Sequence, residues 1–221
     1  MEAGWTTPID IYCERTDPAY WSEPVNAITN AAFLLAALAA YLRWKRAPGR
    51  DGPALALILI LTAIGIGSFL FHTFADRWSV LADVIPITIF IYVYFFFAIR
   101  RFFAAGRAIA LLVTAFFLAG SLVVDAIVPS HVLNGSVSYL PALVAILIVG
   151  ALVIGQRPDI GWPVLAAGAI FLVSLTFRSV DMAVCDALPL GTHFLWHMLN
   201  ALTLYILFRV LMDARHASPA A

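Results

Sequence analysis

Two histidines that lie four residues apart stand near the start of the last apolar segment of the chain. They are His193 and His197, within the stretch from Gly191 to Asn200. On a helix, residues with this spacing lie on the same face about one turn apart, so the two imidazoles could chelate one metal ion. Buried histidines also occur as hydrogen-bonded core residues. The prediction of a metal site therefore depends on a third ligand elsewhere in the chain.

The composition of the chain is that of a membrane protein. Of its 221 residues, 63% are apolar and 12% are charged, and the mean hydropathy is +0.95. These values exclude a soluble domain and a disordered chain. No basic patch favours nucleic acid as a partner, and the single lysine, Lys45, lies in a predicted loop, which excludes a retinal Schiff base. The N-terminus lacks the pattern of a cleaved signal, so we expect the first spanning helix to be retained.

Seven apolar segments long enough to cross a bilayer follow a polar, acid-rich N-terminal segment. The breaks between them contain charged residues, Pro or Gly, which end helices or lie at the membrane interface. The predicted spans are 22–44, 53–75, 79–100, 106–128, 136–155, 161–182 and 191–212. We therefore predict an all-α fold, a seven-transmembrane-helix bundle that forms one domain over residues 1–221. Residues 1–21 are expected to be an outer extramembrane segment and residues 213–221 an inner tail.

The distribution of basic residues predicts how the bundle is oriented, because cytoplasmic loops carry an excess of Lys and Arg. With the N-terminus outside, three basic residues fall on the outer side: Arg15, Arg77 and Arg178. Ten fall on the inner side: Arg43, Lys45, Arg46, Arg50, Arg100, Arg101, Arg107, Arg157, Arg209 and Arg215. We predict that the N-terminus is outside and the C-terminus inside.

The two cysteines of the chain fall on the same side in this topology. Cys13 lies in the N-terminal segment, and Cys185 lies between spans six and seven. The outer side faces an oxidising compartment, which permits a disulfide between them. Two free thiols are the alternative. A disulfide would tie the N-terminal segment to the loop that precedes His193.

The third metal ligand is predicted to be His72. Span two enters from the inner side near residue 53, and a rise of about 1.5 Å per residue places His72 near its outer end. His72 therefore reaches the membrane level of His193 and His197, whereas His131 lies in a loop and His216 in the tail. Three imidazoles leave a fourth tetrahedral position for water, which is the arrangement of a catalytic zinc site.

Two further polar side chains reach the same level. Ser68 lies one turn before His72 on the same face of span two, and Asp83 lies one turn into span three. An ionisable residue inside a bilayer is costly and usually faces a cavity or a partner. The alternatives are that Asp83 stabilises a helix N-terminus and that Ser68 is a packing residue that bonds its own helix. Asp125 and Asp181 also lie at outer helix ends, and for Asp181 an ion pair with Arg178, three residues earlier, is the alternative to a role at the site.

These residues carry a resemblance to a known family. The motifs are Gly-x-Gly-Ser-x-x-x-His over 65–72, Asp-x-x-Pro over 83–86, and His-x-x-x-His over 193–197. Further similarities are Tyr-Cys-Glu over 12–14, Glu-x-x-Asn-x-x-Thr-Asn over 23–30, and Asp-x-x-x-Cys-Asp over 181–186. On seven spans, this set resembles the alkaline ceramidase family, within a superfamily of membrane hydrolases that includes the adiponectin-type receptors. The resemblance extends over nearly the whole chain and is weak in the lipid-facing segments.

The resemblance implies a set of site residues. His72, His193 and His197 would bind zinc, Ser68 and Asp83 would hydrogen-bond the zinc-bound water, and Cys13 and Cys185 would form a disulfide. It also implies a calcium site in the N-terminal segment, to which Glu14 and Glu23 correspond, with Asp10 and Asp17 nearby. The two glutamates are closer together than in the family, and Ile11 stands where the family has Asp. A solvated acidic segment is therefore the alternative to calcium binding.

The function expected from these residues is zinc-dependent hydrolysis of a lipid amide. Asp83 would act as general base and then general acid, and Ser68 would donate to the developing oxyanion. The resemblance makes ceramide the expected substrate and the lipid bilayer the expected surroundings. A zinc-containing receptor of the same superfamily without turnover and a hydrolase of another lipid amide or ester are the alternatives. Short loops favour a bacterial inner membrane over a eukaryotic endomembrane, and the sequence does not indicate an oligomeric state.

Overall fold

The computed structural model describes residues 4–129 and 131–216 of the chain. Its α-helices are α1 (Pro24–Thr29), α2 (Ala31–Arg46), α3 (Gly52–Phe74), α4 (Arg77–Phe102), α5 (Arg107–Ile127), α6 (Leu140–Ile154), α7 (Pro158–Val180) and α8 (His193–His216). Short 3₁₀ helices cover Val132–Tyr139 and Asp181–Ala183. The described residues contain no β-strand, and one isolated bridge pairs Pro8 with Asp76. The prediction of an all-α fold is confirmed.

Seven helical segments are long and apolar enough to cross a membrane, as predicted. They are Pro24–Arg46, Gly52–Phe74, Arg77–Phe102, Arg107–Ile127, Val132–Ile154, Pro158–Ala183 and His193–Arg215. The largest difference from a predicted boundary is at span five, which begins at Val132 rather than at residue 136. The predicted inner tail begins as helix up to His216, and residues 217–221 lie outside the described residues. The orientation and the single domain over residues 1–221 stay predictions.

Small residues bring neighbouring spans into close contact. A Cβ added to Gly67 in α3 would lie 1.9 Å from the carbonyl oxygen of Ala82 in α4, so only glycine permits this approach of the two backbones. Close packing through small residues is typical of helices in membranes, where lipid tails compete equally for apolar side chains. The contact places the residue after Gly67 against the residue after Ala82. These residues are Ser68 and Asp83.

The end of α3 that lies farther from His72 is fixed by one buried carboxylate. Asp51 precedes α3 and accepts a hydrogen bond from the amide of Ala54 at 3.1 Å, which caps the helix. Its two oxygens also accept from Arg101 at 2.8 and 2.9 Å. Burial opposes the ionisation of Asp51, but the hydrogen bonds from Arg101 and Ala54 hold its pKa below the usual value. Asp51 thereby ties the start of α3 to the end of α4.

The N-terminal segment from Gly4 to Glu23 lies across the opposite end of the bundle. The amide of Ile9 donates to the carbonyl of Ala75 at 2.7 Å, just after α3 ends. A disulfide joins Cys13 to Cys185, whose Cα atoms are 5.3 Å apart. Between these anchors, the Tyr12 side chain is buried. The segment therefore covers the end of the bundle at which all three predicted metal ligands lie.

Candidate metal centre

Three buried histidines come together at the covered end of the bundle. His72 lies in the last turn of α3, and His193 and His197 lie in the first two turns of α8. Their side chains are almost fully buried, and one ring nitrogen from each lies within 4.8 Å of the others. The Nε2 atoms of His72 and His197 are 3.1 Å apart. The structure thus places the three predicted zinc ligands in one group.

Asp181 fixes the helix start that carries His193. Its Oδ1 atom accepts hydrogen bonds from the amides of Thr192 at 2.6 Å and of His193 at 2.9 Å. The Thr192 amide directly precedes α8 and the His193 amide belongs to its first turn, where backbone donors have no partner within the helix. The Oδ2 atom of Asp181 accepts from the amide of Cys13 at 3.0 Å. Asp181 therefore joins α8 to the N-terminal segment.

Gly191 makes this arrangement of Asp181 possible. Its φ of +67° lies in the left-handed region that side chains disfavour. A Cβ at this position would lie 2.2 Å from Oδ1 of Asp181 and 2.8 Å from the Cβ of Cys13. The turn before α8 can therefore approach both groups only because residue 191 has no side chain.

The alternative of an ion pair between Arg178 and Asp181 is not found in the structure. Arg178 donates to the carbonyl of Asn134 at 2.6 Å and to Oγ of Ser136 at 3.0 Å. Its guanidinium also lies over the Trp196 ring, 5.7 Å from the centroid. Because α7 ends between them and Asp181 begins a 3₁₀ turn, the two side chains take different partners. Local spacing suggested a contact within one helix, but both side chains bind groups from other parts of the chain.

Two of the histidines have a fixed ring orientation. Nδ1 of His72 lies 2.6 Å from Oε2 of Glu23, and Nδ1 of His197 lies 2.9 Å from Oγ1 of Thr29. The hydroxyl of Thr29 donates its proton to the carbonyl of Val25 at 2.8 Å, so it accepts from His197. Glu23 likewise accepts from His72. Neutral His72 and His197 therefore carry their proton on Nδ1 and present a lone pair on Nε2.

Glu23 is ionised in this arrangement. Burial opposes its charge, but the hydrogen bonds from His72 and Arg15 and the positive charge of Arg15 outweigh burial and lower the pKa of Glu23 below its usual value. A carboxylate that accepts the second ring N–H of a ligand histidine is a recurring partner at protein metal sites, because it fixes the ring and raises its basicity. Glu23 has this relation to His72.

His193 differs from the other two histidines. Its Nδ1 atom is buried and has no hydrogen-bond partner in the described part of the chain. The ring stacks on Tyr12 with centroids 3.6 Å apart and planes at 20°. A buried polar atom without a partner is costly. This atom and the facing Nε2 lone pairs of His72 and His197 fit a set of donors for one metal ion, and imidazole is a preferred ligand of zinc.

Ser68 and Asp83 lie together beside the histidines. The close contact at Gly67 brings them side by side, and the Ser68 hydroxyl hydrogen-bonds the Asp83 carboxyl group. Asp83 also lies near His72. Its Oδ1 atom is buried without a hydrogen-bond partner among the residues described. One acceptor of Asp83 is thus left unused by the protein.

The four predicted calcium ligands do not come together. Within the described ranges, the group of side chains suited to a metal ion consists of the three histidines alone. Glu14 accepts from the amides of Val25 and Asn26, each at 2.7 Å, at the start of α1. Burial raises the pKa of Glu14, although these amides oppose the shift. Asp17 accepts from the amide of Ala19 at 2.8 Å.

The remaining two predicted calcium ligands also lie apart from each other. Asp10 is exposed, and Glu23 binds Arg15 and His72. The N-terminal carboxylates therefore bind protein donors or solvent rather than a common point. The expectation of calcium gains no support from this arrangement.

An apolar cavity extends from below the histidines toward the other end of the bundle. Asn200, three residues after His197, lines it, and its walls continue to Leu207 on α8 and Ala98 on α4. Tyr94 also lines the cavity, and its buried hydroxyl has no partner in the residues that the structure covers. The cavity is otherwise lined almost wholly by apolar side chains, so its lining suits a hydrocarbon chain.

Sequence reasoning missed several residues that build the site. Thr29, Arg15, Tyr12 and Asp181 were not predicted to contact it, and Glu23 was predicted to bind calcium. A signal was present for some of them: polar side chains recur at positions 23, 26, 29 and 30, where the first span begins. Polar residues at a span boundary do not reveal their partners.

Comparison with known proteins agrees with the predicted family. The family model described as Ceramidase matches residues 6–219, which is nearly the whole chain. No curated protein matches the chain significantly. The match includes all three histidines, both cysteines, Ser68 and Asp83.

Proposed function

The chain belongs to the ceramidase family, and from that premise we propose that it is an intramembrane, zinc-dependent amidase that hydrolyses ceramide to a sphingoid base and a fatty acid. Membership in the family supports an amide hydrolase. The identity of the metal and of the lipid are the parts we propose.

The observation that carries the proposal is the approach of two histidine lone pairs. Nε2 of His72 and Nε2 of His197 are 3.1 Å apart, and both rings hold their proton on Nδ1. Two facing lone pairs repel each other unless a cation lies between them. The third buried imidazole, His193, offers a ligand atom to the same point. Three neutral imidazoles favour zinc over hard cations, which take oxygen ligands.

His72, His193 and His197 would hold the zinc ion. When bound, zinc would polarise the carbonyl group of the substrate and lower the pKa of a bound water toward neutrality. Glu23 and Thr29 keep the Nε2 atoms of His72 and His197 unprotonated and correctly directed. Because Glu23 is buried, Thr29 is partly buried and both come from the same short stretch of chain, the ring orientations are set before any substrate enters.

Asp83 moves the proton in the proposed reaction. Its unused Oδ1 atom accepts a proton from the attacking water, whose oxygen forms the new bond to the acyl carbon. As the C–N bond breaks, Asp83 returns this proton to the nitrogen of the departing sphingoid base. Ser68, held against Asp83, donates a hydrogen bond to the oxyanion that develops on the carbonyl oxygen. Water is consumed, and the products are the amine and the fatty acid.

The apolar cavity supports a lipid as the substrate. It begins one turn beyond His197 and is lined by side chains suited to a hydrocarbon chain. An acyl chain in this cavity would place its carbonyl group near the histidines. The second chain of a ceramide can stay in the surrounding membrane, since the spans expose many large apolar side chains to lipid.

The direct test is turnover by purified protein in lipid nanodiscs. We expect release of free sphingoid base and fatty acid in equal amounts from ceramide, measured by mass spectrometry. We expect removal of zinc by a chelator to abolish this release and re-addition of zinc to restore it. An N-acylethanolamine and a phosphatidylcholine serve as other lipid amide and ester substrates. A catalytically weakened protein with Asp83→Asn controls for contaminating hydrolases.

Three results would contradict the proposal in different ways. Preferential turnover of another lipid would retain the reaction and change the substrate. Bound zinc without turnover of any lipid amide or ester would favour the receptor of the same superfamily. Full turnover in protein that contains no zinc would remove the metal from the mechanism.

A further inference from the structure

A buried guanidinium lies next to the metal centre at a point where oxygen atoms converge. The side chain of Arg15 is almost fully buried, with 6% of the residue exposed. Its Nε atom donates to Oε1 of Glu23 at 2.5 Å. Its other partners are the carbonyl oxygens of Asp17 at 3.1 Å, Ala19 at 3.3 Å and His72 at 3.4 Å. One carboxylate and three backbone carbonyls thus surround one positive charge.

This set of acceptors is the kind that hard divalent cations take. Calcium binds carboxylate and carbonyl oxygens in flexible geometry. Arginine satisfies the same acceptors by a different route, because its planar guanidinium carries five N–H donors and a permanent charge. The positive charge at this point is therefore part of the protein chain and does not depend on a dissolved ion.

The oxygens around Arg15 lead directly to a metal ligand. Glu23 binds Arg15 through Oε1 and His72 through Oε2, at 2.5 and 2.6 Å. Arg15 also donates to the backbone carbonyl of His72. The side-chain amide of Asn26 donates through Nδ2 to Oε2 of Glu23 at 3.2 Å. Both ends of Glu23 are thus held, and the carboxylate cannot turn away from His72 without losing Arg15.

We propose that Arg15 is a built-in cation that occupies the place of a divalent ion in the N-terminal segment and positions His72 through Glu23. Arg15 is a positioning residue, since it acts on the metal ligand through Glu23 and touches no substrate atom. This inference rests on the proposed function only in taking His72 as a zinc ligand. It has the consequence that the metal centre is complete without calcium.

Removal of the guanidinium should create a need for another cation. In Arg15→Ala, the carboxylate of Glu23 and three carbonyl oxygens lose their common donor. A buried carboxylate without a partner is costly, and Glu23 would no longer be held toward His72. We expect zinc affinity to fall on the order of tenfold or more, which is typical when a partner of a ligand histidine is disturbed. We expect millimolar calcium to restore most of this affinity.

The test uses full-length protein in nanodiscs, with free zinc held constant by a zinc buffer and calcium either absent or added. Zinc affinity is measured by competition, thermal stability by a melting curve, and ligand geometry by the absorption spectrum of the cobalt-substituted protein. We expect the unmodified protein to be unaffected by calcium in all three measurements. We expect Arg15→Ala to show weakened zinc binding and an altered cobalt spectrum, both corrected by calcium.

Two variants guard against a simple failure to fold. Arg15→Lys keeps the charge and loses the planar fork, so we expect an effect in the same direction and smaller than that of Arg15→Ala. Arg43→Ala removes an exposed arginine that pairs with Asp213 at 2.5 Å far from the histidines. We expect that control to leave zinc affinity and the cobalt spectrum unchanged with and without calcium.

Several outcomes would overturn the inference. These are stoichiometric calcium in the unmodified protein with a calcium-dependent melting temperature, an Arg15→Ala protein with unchanged zinc affinity and cobalt spectrum, and a loss in Arg15→Ala that calcium does not correct. If Arg15→Ala does not fold, unchanged behaviour of the unmodified protein and a graded loss in Arg15→Lys support the inference. No readout uses ceramide, so failure of the proposed substrate would leave these results standing.

Discussion

Two buried carboxylates, each paired with an arginine, lie at opposite ends of α3. Asp51 accepts two hydrogen bonds from Arg101 and one from the backbone amide of Ala54, which caps α3. Glu23 pairs with Arg15 through one oxygen and uses the other for His72. The first pair serves the helices that contain it. The second pair orients the ring of His72, whose other nitrogen, Nε2, faces Nε2 of His197.

The comparison contrasts a buried charge that contacts the proposed metal centre with one that contacts only the elements of the fold. Around Asp51, the partners are a helix N-terminus and a guanidinium, so the interaction ends within the fold. Around Glu23, the interaction continues through the His72 ring to a point where His193 and Asp83 have buried atoms without partners. A buried ion pair alone therefore indicates little about function. Buried polar atoms without a hydrogen-bond partner near such a pair are a stronger indication of a functional site.

The largest effect is expected when one of the three imidazoles of the proposed metal centre is removed. We expect His193→Ala to lose bound zinc and all detectable ceramide hydrolysis, because two imidazoles cannot replace the three-ligand site. Zinc is measured by elemental analysis of the purified protein. His131→Ala, which removes an exposed loop histidine, should keep both zinc and turnover. A His193→Ala protein with its full metal content would exclude this residue from the centre.

Removal of the unused carboxylate oxygen should separate chemistry from metal binding. We expect Asp83→Asn to retain zinc and to lose roughly 100- to 10,000-fold in turnover, the usual range for a general acid–base group. Steady-state release of sphingoid base measures the loss. The matched control is Asp125→Asn, an exposed carboxylate on α5. Near-normal rates in Asp83→Asn would return this residue to the role of stabilising a helix terminus.

Paired substitutions of the two carboxylates test the comparison itself. We expect Glu23→Gln to weaken zinc affinity by about 10- to 100-fold, since the amide holds His72 less firmly and does not raise its basicity. We expect Asp51→Asn to leave zinc affinity unchanged and to reduce the free energy of unfolding by about 2 kcal/mol, as for a lost charged hydrogen bond. Competition with a zinc chelator and melting curves measure the two effects. Equal loss of zinc affinity in both variants would contradict the distinction.

The smallest effect is expected at the partner of His197. Thr29→Val removes a neutral hydrogen bond worth about 1 kcal/mol, so zinc affinity should fall about fivefold. Thr203→Val is the control, because its buried hydroxyl bonds the carbonyl of Leu199 on its own helix. Zinc affinity unchanged in Thr29→Val would mean that the His197 ring is held by packing alone.

The spans and the level of the histidines could be predicted because both depend on local rules. Hydropathy locates each span, and the rise per residue places His72 at the depth of His193 and His197. The predicted start of span five is less accurate, since the span begins at Val132 rather than at residue 136. Leu133 and Asn134 adopt positive φ values of 52° there, which are not helical and kink the chain within the short 3₁₀ segment Val132–Tyr139. Hydropathy does not detect such a kink.

The partners of the histidines could not be predicted because they come from distant parts of the chain. Glu23 and His72 are 49 residues apart, and Thr29 and His197 are 168 residues apart. Local spacing instead suggested a pair between Arg178 and Asp181. The actual partners of Asp181 are backbone amides on both sides of the disulfide, which no side-chain pattern encodes.

The disulfide between Cys13 and Cys185 has a consequence for the order in which the protein is made. The two residues are 172 positions apart, and six of the seven spans lie between them. The bridge cannot form until those six spans have been synthesised, and His193 and His197 leave the ribosome later still. A nascent chain therefore holds only one of the three imidazoles for most of its synthesis. Hydrolytic capacity would arise only at the final stage of membrane insertion.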